Sequence, residues 1–218
     1  IVETENKNIW ASEEEMARRS AEIFEDGDFY LTHAEQEMVN TVKQNFARVI
    51  VVMNVGGMVD TSWFHDDAQI QSVLMAWQGG MEGGLATAEL LAGEGNPSGK
   101  LSDTFARELN DYPSTYNFHE SEKYVEYTDD IYVGYRYFET IPGAKEKVNY
   151  PFGFGLSYTQ FTLGESQISI EGDQIRCMVS VTNTGAMAGK EVVQAYYGAP
   201  QGKLGKAARV LCAFAKTR

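Results

Sequence analysis

An α/β layered fold over residues 1–160, followed by an unfinished β-sandwich over residues 161–218, is what this 218-residue sequence predicts. Three observations carry that reading. The run Arg48-Val49-Ile50-Val51-Val52-Met53 is dominated by β-branched residues, as a parallel strand buried on both faces requires. Apolar positions at helical spacing precede and follow it, so helix and strand alternate as they do in α/β layer folds. Beyond Phe161 the hydrophobic period drops to two, the mark of half-buried antiparallel strands.

Taken in order, the chain opens with a polar stretch, Ile1 to Asn8. Glu14 and Glu15 then stand four residues ahead of Arg18 and Arg19, which supports an exposed helical turn. Thr32-His33-Ala34-Glu35 spells a capping box, and Met38, Val39, Val42 and Phe46 follow at helical spacing, predicting a helix over 33–46. The strand 48–53 ends at Asn54-Val55-Gly56-Gly57, and open α/β sheets place their ligands at such carboxyl ends. A short helix over Asp66 to Gln71 and a second buried strand over Ser72 to Ala76 complete the alternation.

The stretch from Trp77 to Phe105 is the densest in signals. Gly79-Gly80 and Gly83-Gly84 permit tight backbone turns. Leu85, Ala88, Leu90 and Leu91 predict a helix that Gly93 stops. Asn96-Pro97-Ser98-Gly99 reads as a turn, and Leu101 to Phe105 as extended chain. Two phosphate readings fail here. Gly95 falls one place too late for a P-loop ending at Gly99-Lys100, and Leu101 stands where its hydroxyl residue belongs. Gly93-x-Gly95 follows a helix instead of opening one, the reverse of the dinucleotide-binding context. Further on, Leu109 to Glu126 reads as a long polar surface loop, Ile131 to Phe138 as an aromatic strand, and Tyr150 to Tyr158 as a rigid aromatic corner.

In the last part, Ile175, Cys177, Val179 and Val181 alternate with polar or less apolar neighbours. Further strands follow over Val192 to Tyr197 and around Val210, Cys212 and Phe214. These are too few to close a sandwich, so more strands are expected after Arg218. Eighteen Lys plus Arg against 31 Asp plus Glu give a net charge of -13, which opposes binding to nucleic acid or an anionic membrane surface. A neutral ligand suits this balance better. Cys177 and Cys212 are expected as buried free thiols, and His33, His65 and His119 stand apart, so neither a metal nor a nucleotide or redox cofactor is expected. No apolar run is long enough to span a bilayer.

Gln78-Gly79-Gly80-Met81-Glu82-Gly83-Gly84, Asn96-Pro97-Ser98-Gly99-Lys100-Leu101 and Thr104-Phe105 together resemble the C-terminal α/β-sandwich domain of family 3 glycoside hydrolases. Val51 to Gly57 with Ser62-Trp63 is similar to that family's strand, loop and tryptophan. Asp130 to Phe138 resembles its EGIYVGYRYF segment, with Asp130 in place of Gly, and Tyr150 to Phe161 resembles YPFGFGLSYTTF, with Gln160 in place of Thr. Gly189 to Gln194 and Phe214 look like the start of the fibronectin type III-like module that follows. The resemblance implies an α/β sandwich with a mostly parallel sheet over 1–160, its N-terminal part truncated, then an incomplete immunoglobulin-like β-sandwich over 161–218.

The resemblance also implies a retaining β-glucosidase acting on a β-linked oligosaccharide or glycoside. Retention needs two carboxyl groups about 5 to 5.5 Å apart. In the family the nucleophile Asp lies on a separate (β/α)8 barrel and the acid/base Glu on the sandwich domain. Nothing here matches the nucleophile segment, so the barrel is the implied partner, and this chain alone is expected to be inactive. Arg18-Arg19-Ser20-Ala21-Glu22 aligns with the family's Arg-x-Ser-Gly-Glu and nominates Glu22, although Ala21 replaces Gly and Glu25-Asp26 replaces Asp-Arg. A second register, Ser12-Glu13-Glu14, nominates Glu14. A non-catalytic carbohydrate-binding or scaffolding role is the other reading that these departures motivate.

Overall fold

The computed structural model describes Arg18, residues 27–117, Ser121 and residues 123–218. Glu14, Glu22 and the helical turn expected over 13–19, apart from Arg18, lie outside the described residues. Mixed helices and strands make an α/β fold, and every parallel pairing among the described residues belongs to one strand pair.

Helix α1, His33–Asn45, begins at the predicted capping box. The Glu35 amide donates to Thr32 Oγ1 at 3.3 Å, and the Thr32 amide donates to Glu35 Oε2 at 2.9 Å. Phe46 is the C-cap. Strand β1, Val49–Met53, runs parallel to β2, Ile70–Met75, with Met53 opposite Met75. Alternation turns Val49 and Met53 into a core with Phe64 and Ile70, while Ile50 and Val52 remain 59% and 40% exposed on the other face. Burial of this strand on both faces was the expectation, and it is corrected: none of the described elements covers the second face.

Between the strands, the short helix falls on Ser62–His65 (α2) rather than Asp66 to Gln71, and β2 starts two residues earlier than expected. The cause is local. Asp67 accepts from the Gln69 amide at 3.0 Å, a side-chain bond that competes with helix, and its other oxygen pairs with Lys43 of α1. Helix α3, Gly83–Ala92, ends as its sequence predicts, with Gly93 at φ 77° donating to the carbonyls of Glu89 and Leu90.

Three further expectations are revised. Asn96 to Lys100 form no turn, and Gly99 has no positive φ; the segment is irregular and held by bonds to distant chain. Of Leu101 to Phe105, only Phe105 enters a strand, β3 (Phe105–Ala106), which pairs antiparallel with β4 (Val148–Tyr150). The aromatic stretch 131–138 is no strand: Gly134, at φ 59° and ψ −129°, turns the chain into helix α4, Tyr135–Thr140. That turn drives Phe138 into a second core with Ala106 and Ala144. Within the expected loop 109–126, short 3-10 turns occupy Leu109–Asp111 and Pro113–Tyr116. Between them, the Tyr112 hydroxyl accepts from the Ala106 amide and donates to the Thr104 carbonyl.

The strand region comprises β5 (Phe161–Leu163), β6 (Gln167–Glu171), β7 (Gln174–Met178), β8 (Val181–Asn183), β9 (Val192–Tyr197) and β10 (Val210–Lys216). They pair antiparallel as β5 with β8, β6 with β7 and β9 with β10. Antiparallel pairing is as predicted, but half-burial of β7 is not, since every residue of β6 and β7 is exposed. The two thiols are likewise exposed rather than buried. Period-two alternation marks which face could be covered, and the described strands supply no second layer over this hairpin.

Candidate active site

The parallel pair has one functional end. Past Met53 and Met75 the ladder adds one more bond, from the Ala76 amide to the Met53 carbonyl at 3.0 Å. The two loops stay in contact beyond it, since a Cβ on Gly56 would lie 2.8 Å from Gln78 Nε2, and open α/β sheets place their ligands at such strand ends. Trp77 sits at φ 56°, a left-handed conformation costing a non-glycine residue about 1–2 kcal/mol, and its ring lies 6.4 Å from that of buried Phe105. After it the chain folds back so tightly that a Cβ on Gly79 would lie 2.9 Å from Gly83 Cα. Glycine is required there.

On the same side of β1, residues 27–31 run beside the loop that leaves the strand. The Asp60 amide donates to the Phe29 carbonyl at 2.8 Å, and Phe29 is buried edge-on against Tyr30, with ring centroids 5.0 Å apart. A cleft of about 430 Å³ opens between this segment, the first turn of α1 and the start of α2, lined by Tyr30, Leu31, Gln36, Asp60 and Trp63.

Each wall is braced from behind. Asp60 Oδ1 accepts from the Ser62 amide at 2.8 Å and its carbonyl from Trp63 Nε1 at 3.1 Å, which fixes both the carboxylate and the indole. Asn149 of β4 donates to Thr61 Oγ1 and Ser62 Oγ, each at 3.0 Å, and the Ser62 hydroxyl donates to the Arg107 carbonyl at 2.7 Å. Thr61 and Asn149 are buried, so the bond between them is shielded from water, while Ser62 is exposed. Burial pushes the phenols of Tyr112 and Tyr150 above their ordinary range and keeps them neutral.

Two aromatic side chains, a carboxylate and a carboxamide can receive a neutral polyhydroxylated ring, with faces on aromatic surface and hydroxyls on the polar groups. Among the described residues, no three His, Cys, Asp or Glu side chains gather as metal ligands, and no helix is long and apolar enough to cross a membrane. Sequence reasoning singled out Trp63 but passed over Tyr30, Gln36 and Asp60. Asp60-x-Ser62 was the available signal, an Asp placed to cap the amide two residues on. Glu22 and Glu14 precede the described strip, Glu22 by five residues.

An open α/β domain with its polar groups gathered at the strand ends is the class that this geometry defines. Residues 1–158 match the model of the glycosyl hydrolase family 3 C-terminal domain. The chain belongs to glycosyl hydrolase family 3. It is 60% identical to β-glucosidase A of Butyrivibrio fibrisolvens over 98% of its own length and 28% of that protein's. It is 48% identical to a β-glucosidase of Ruminococcus albus, over 88% of this chain and 20% of the other. Among solved structures it resembles a β-glucosidase from Paenibacillus barengoltzii, with TM-score 0.82 and 50% identity over 88% of this chain and 21% of that one. It also resembles β-glucosidase 3B of Thermotoga neapolitana in complex with glucose, with TM-score 0.81 and 41% identity over 88% of this chain and 27% of that one. The chain thus spans well under a third of the length of these relatives.

Proposed function

We propose that this chain is part of a retaining β-glucosidase that removes terminal β-linked glucosyl residues, and that it supplies the general acid/base and one wall of the sugar pocket. Residues 1–160 form the sandwich domain and 161–218 the beginning of a fibronectin type III-like domain. The nucleophile Asp belongs to a (β/α)8 barrel outside this chain, the partner against which the pocket closes. The observation that carries the reading is the 60% identity to a β-glucosidase along 98% of the chain.

In this scheme Glu22 protonates the glycosidic oxygen while the barrel's Asp attacks the anomeric carbon, and it then deprotonates the water that releases the sugar. The alignment of Arg18-Arg19-Ser20-Ala21-Glu22 with the family's Arg-x-Ser-Gly-Glu supports the assignment. An acid that must hold its proton near neutrality needs a raised pKa, and Glu25 and Asp26, if folded beside it, act in that direction by like-charge repulsion. Glu14 is the competing assignment from the second register.

Stereochemistry is the test. Hydrolysis of an aryl β-glucoside by the whole protein, followed by proton NMR, is expected to release β-glucose first, with the α-anomer appearing only through mutarotation. First appearance of α-glucose would contradict retention, and absence of any turnover would favour the binding role.

A further inference from the structure

The glycine-lysine loop that fails as a phosphate site has another occupant. Lys100 Nζ, largely buried, donates to the Gly155 carbonyl at 2.7 Å and pairs with Glu191 Oε1 at 2.9 Å. Glu191 sits at the mouth of β9, and its backbone is tied to Thr217 beyond β10 by bonds of 2.9 Å in each direction. Four residues before the lysine, Asn96 uses both ends of its amide. Its oxygen accepts from Ser157 Oγ and the Tyr158 amide at 2.8 and 2.9 Å, and its nitrogen donates to the Ala188 carbonyl at 2.8 Å. The fit is close: a Cβ on Gly155 would lie 2.2 Å from the Gly99 carbonyl oxygen, and one on Gly189 would lie 2.6 Å from Asn96 Nδ2.

A second clamp acts through α4. Tyr135 stacks on Phe152 with centroids 4.8 Å apart, meets Tyr196 of β9 edge-on at 5.9 Å, and accepts from the Leu211 amide of β10 at 2.7 Å. Thr140 Oγ1 accepts from the Ala208 amide at 2.9 Å, and Glu139 pairs with Arg209 at 2.8 Å. Tethered modules are joined by exposed linkers that few contacts cross. Here the connecting residues 150–160 are sewn down, with the Leu101 amide bonded to Phe154, the Gly153 amide bonded to Leu101 and Thr159 buried.

We infer that the Asn96–Lys100 loop and α4 form a two-clamp lock that makes the strand region one cooperative unit with the α/β layer, not a module that opens independently. The lock uses up the cation and the amide that the loop would otherwise present to a ligand. It also holds the far end of α3, where Tyr158 donates to the Leu90 carbonyl at 2.8 Å, while the near end of that helix begins at the glycine loop of the candidate site.

Hydrogen exchange resolved by mass spectrometry on the whole protein tests this directly. With cooperative opening, peptides over β9–β10 and over β1–β2 reach the same limiting protection as denaturant is raised. Lys100→Met, which strands Glu191 in a largely buried place, lowers both by the same factor, about tenfold or more. Arg176→Ala, which breaks the exposed pair with Glu171 on the β6–β7 hairpin, leaves both unchanged. Loss of protection in β9–β10 alone, or no change in either pair with Lys100→Met, overturns the inference. Should Lys100→Met not fold, the unaltered protein decides: equal limiting protection of the two strand pairs supports the lock, and unequal protection refutes it.

Discussion

The β1–β2 pair and the seam around Asn96 and Lys100 are held in opposite ways. The strand pair relies on apolar burial of Val49, Met53, Phe64 and Ile70, and among the described residues none covers Ile50 and Val52 on its other face. The seam relies on polar groups reaching across 55 to 92 residues of chain to bond single carbonyls and one carboxylate. Non-directional packing tolerates a missing layer, because each buried side chain keeps the contacts it has. A directional seam does not, because each removed partner strands another buried group.

Substitutions sharpen that contrast. The largest expected effect falls on Phe105, 1% exposed and facing Trp77 at the strand ends: Phe105→Ala should cost about 3–5 kcal/mol in the whole protein by chemical denaturation and loosen the strained Trp77. Asn149→Ala removes the donor to Thr61 and Ser62 and should cost about 1–3 kcal/mol, with a rise in KM if the α2 wall of the cleft moves. Removing the α1 cap with Thr32→Ala should cost about 1 kcal/mol, and hydrogen exchange should rise only in the first turn of that helix.

The smallest effect depends on pH. Lys43, by its side-chain hydrogen bond, holds the Asp67 carboxyl below the usual carboxylate range. A depressed folded-state pKa means that the stabilisation is present above the unfolded value, about 3.9, and is lost as pH falls through the lower folded value. Asp67→Asn should therefore lower the denaturation midpoint at neutral pH, with the difference from the unaltered protein closing in strong acid. A difference that stays constant with pH would show that the ion pair is not its source.

Features governed by neighbours in sequence were readable from residues alone. Thr32 with Glu35 gave a helix start, Gly93 a helix stop, and the Val49–Met53 run a strand, since each depends on a few adjacent side chains. Long-range dependence hid the rest. The residues Ile131 to Phe138 have strand-like composition, yet Gly134 and the packing of Phe138 on Ala106 and Ala144 make α4 of their second half. Asn96 to Gly99 read as a turn, but the partners of Asn96 and Lys100 at 155–158 and 188–191 draw the segment into the seam. Around the cleft, Tyr30, Gln36 and Asp60 carried no pattern of catalytic spacing, because three separate segments converge only in the fold.

The proposed mechanism sets one carboxyl group of this chain opposite a nucleophile on another domain, and one kinetic comparison on Glu22→Gln in the whole protein tests whether Glu22 is that group. Loss of the acid should slow glucosides with poor leaving groups by about 10²- to 10⁴-fold while sparing activated aryl glucosides far more, because their departure needs little protonation. Azide, which attacks the glycosyl-enzyme without a base, should restore turnover of the activated substrate and yield the glycosyl azide. Equal losses on both substrates with no azide rescue, or near-normal kinetics in Glu22→Gln and the full pattern in Glu14→Gln, would contradict the assignment to Glu22.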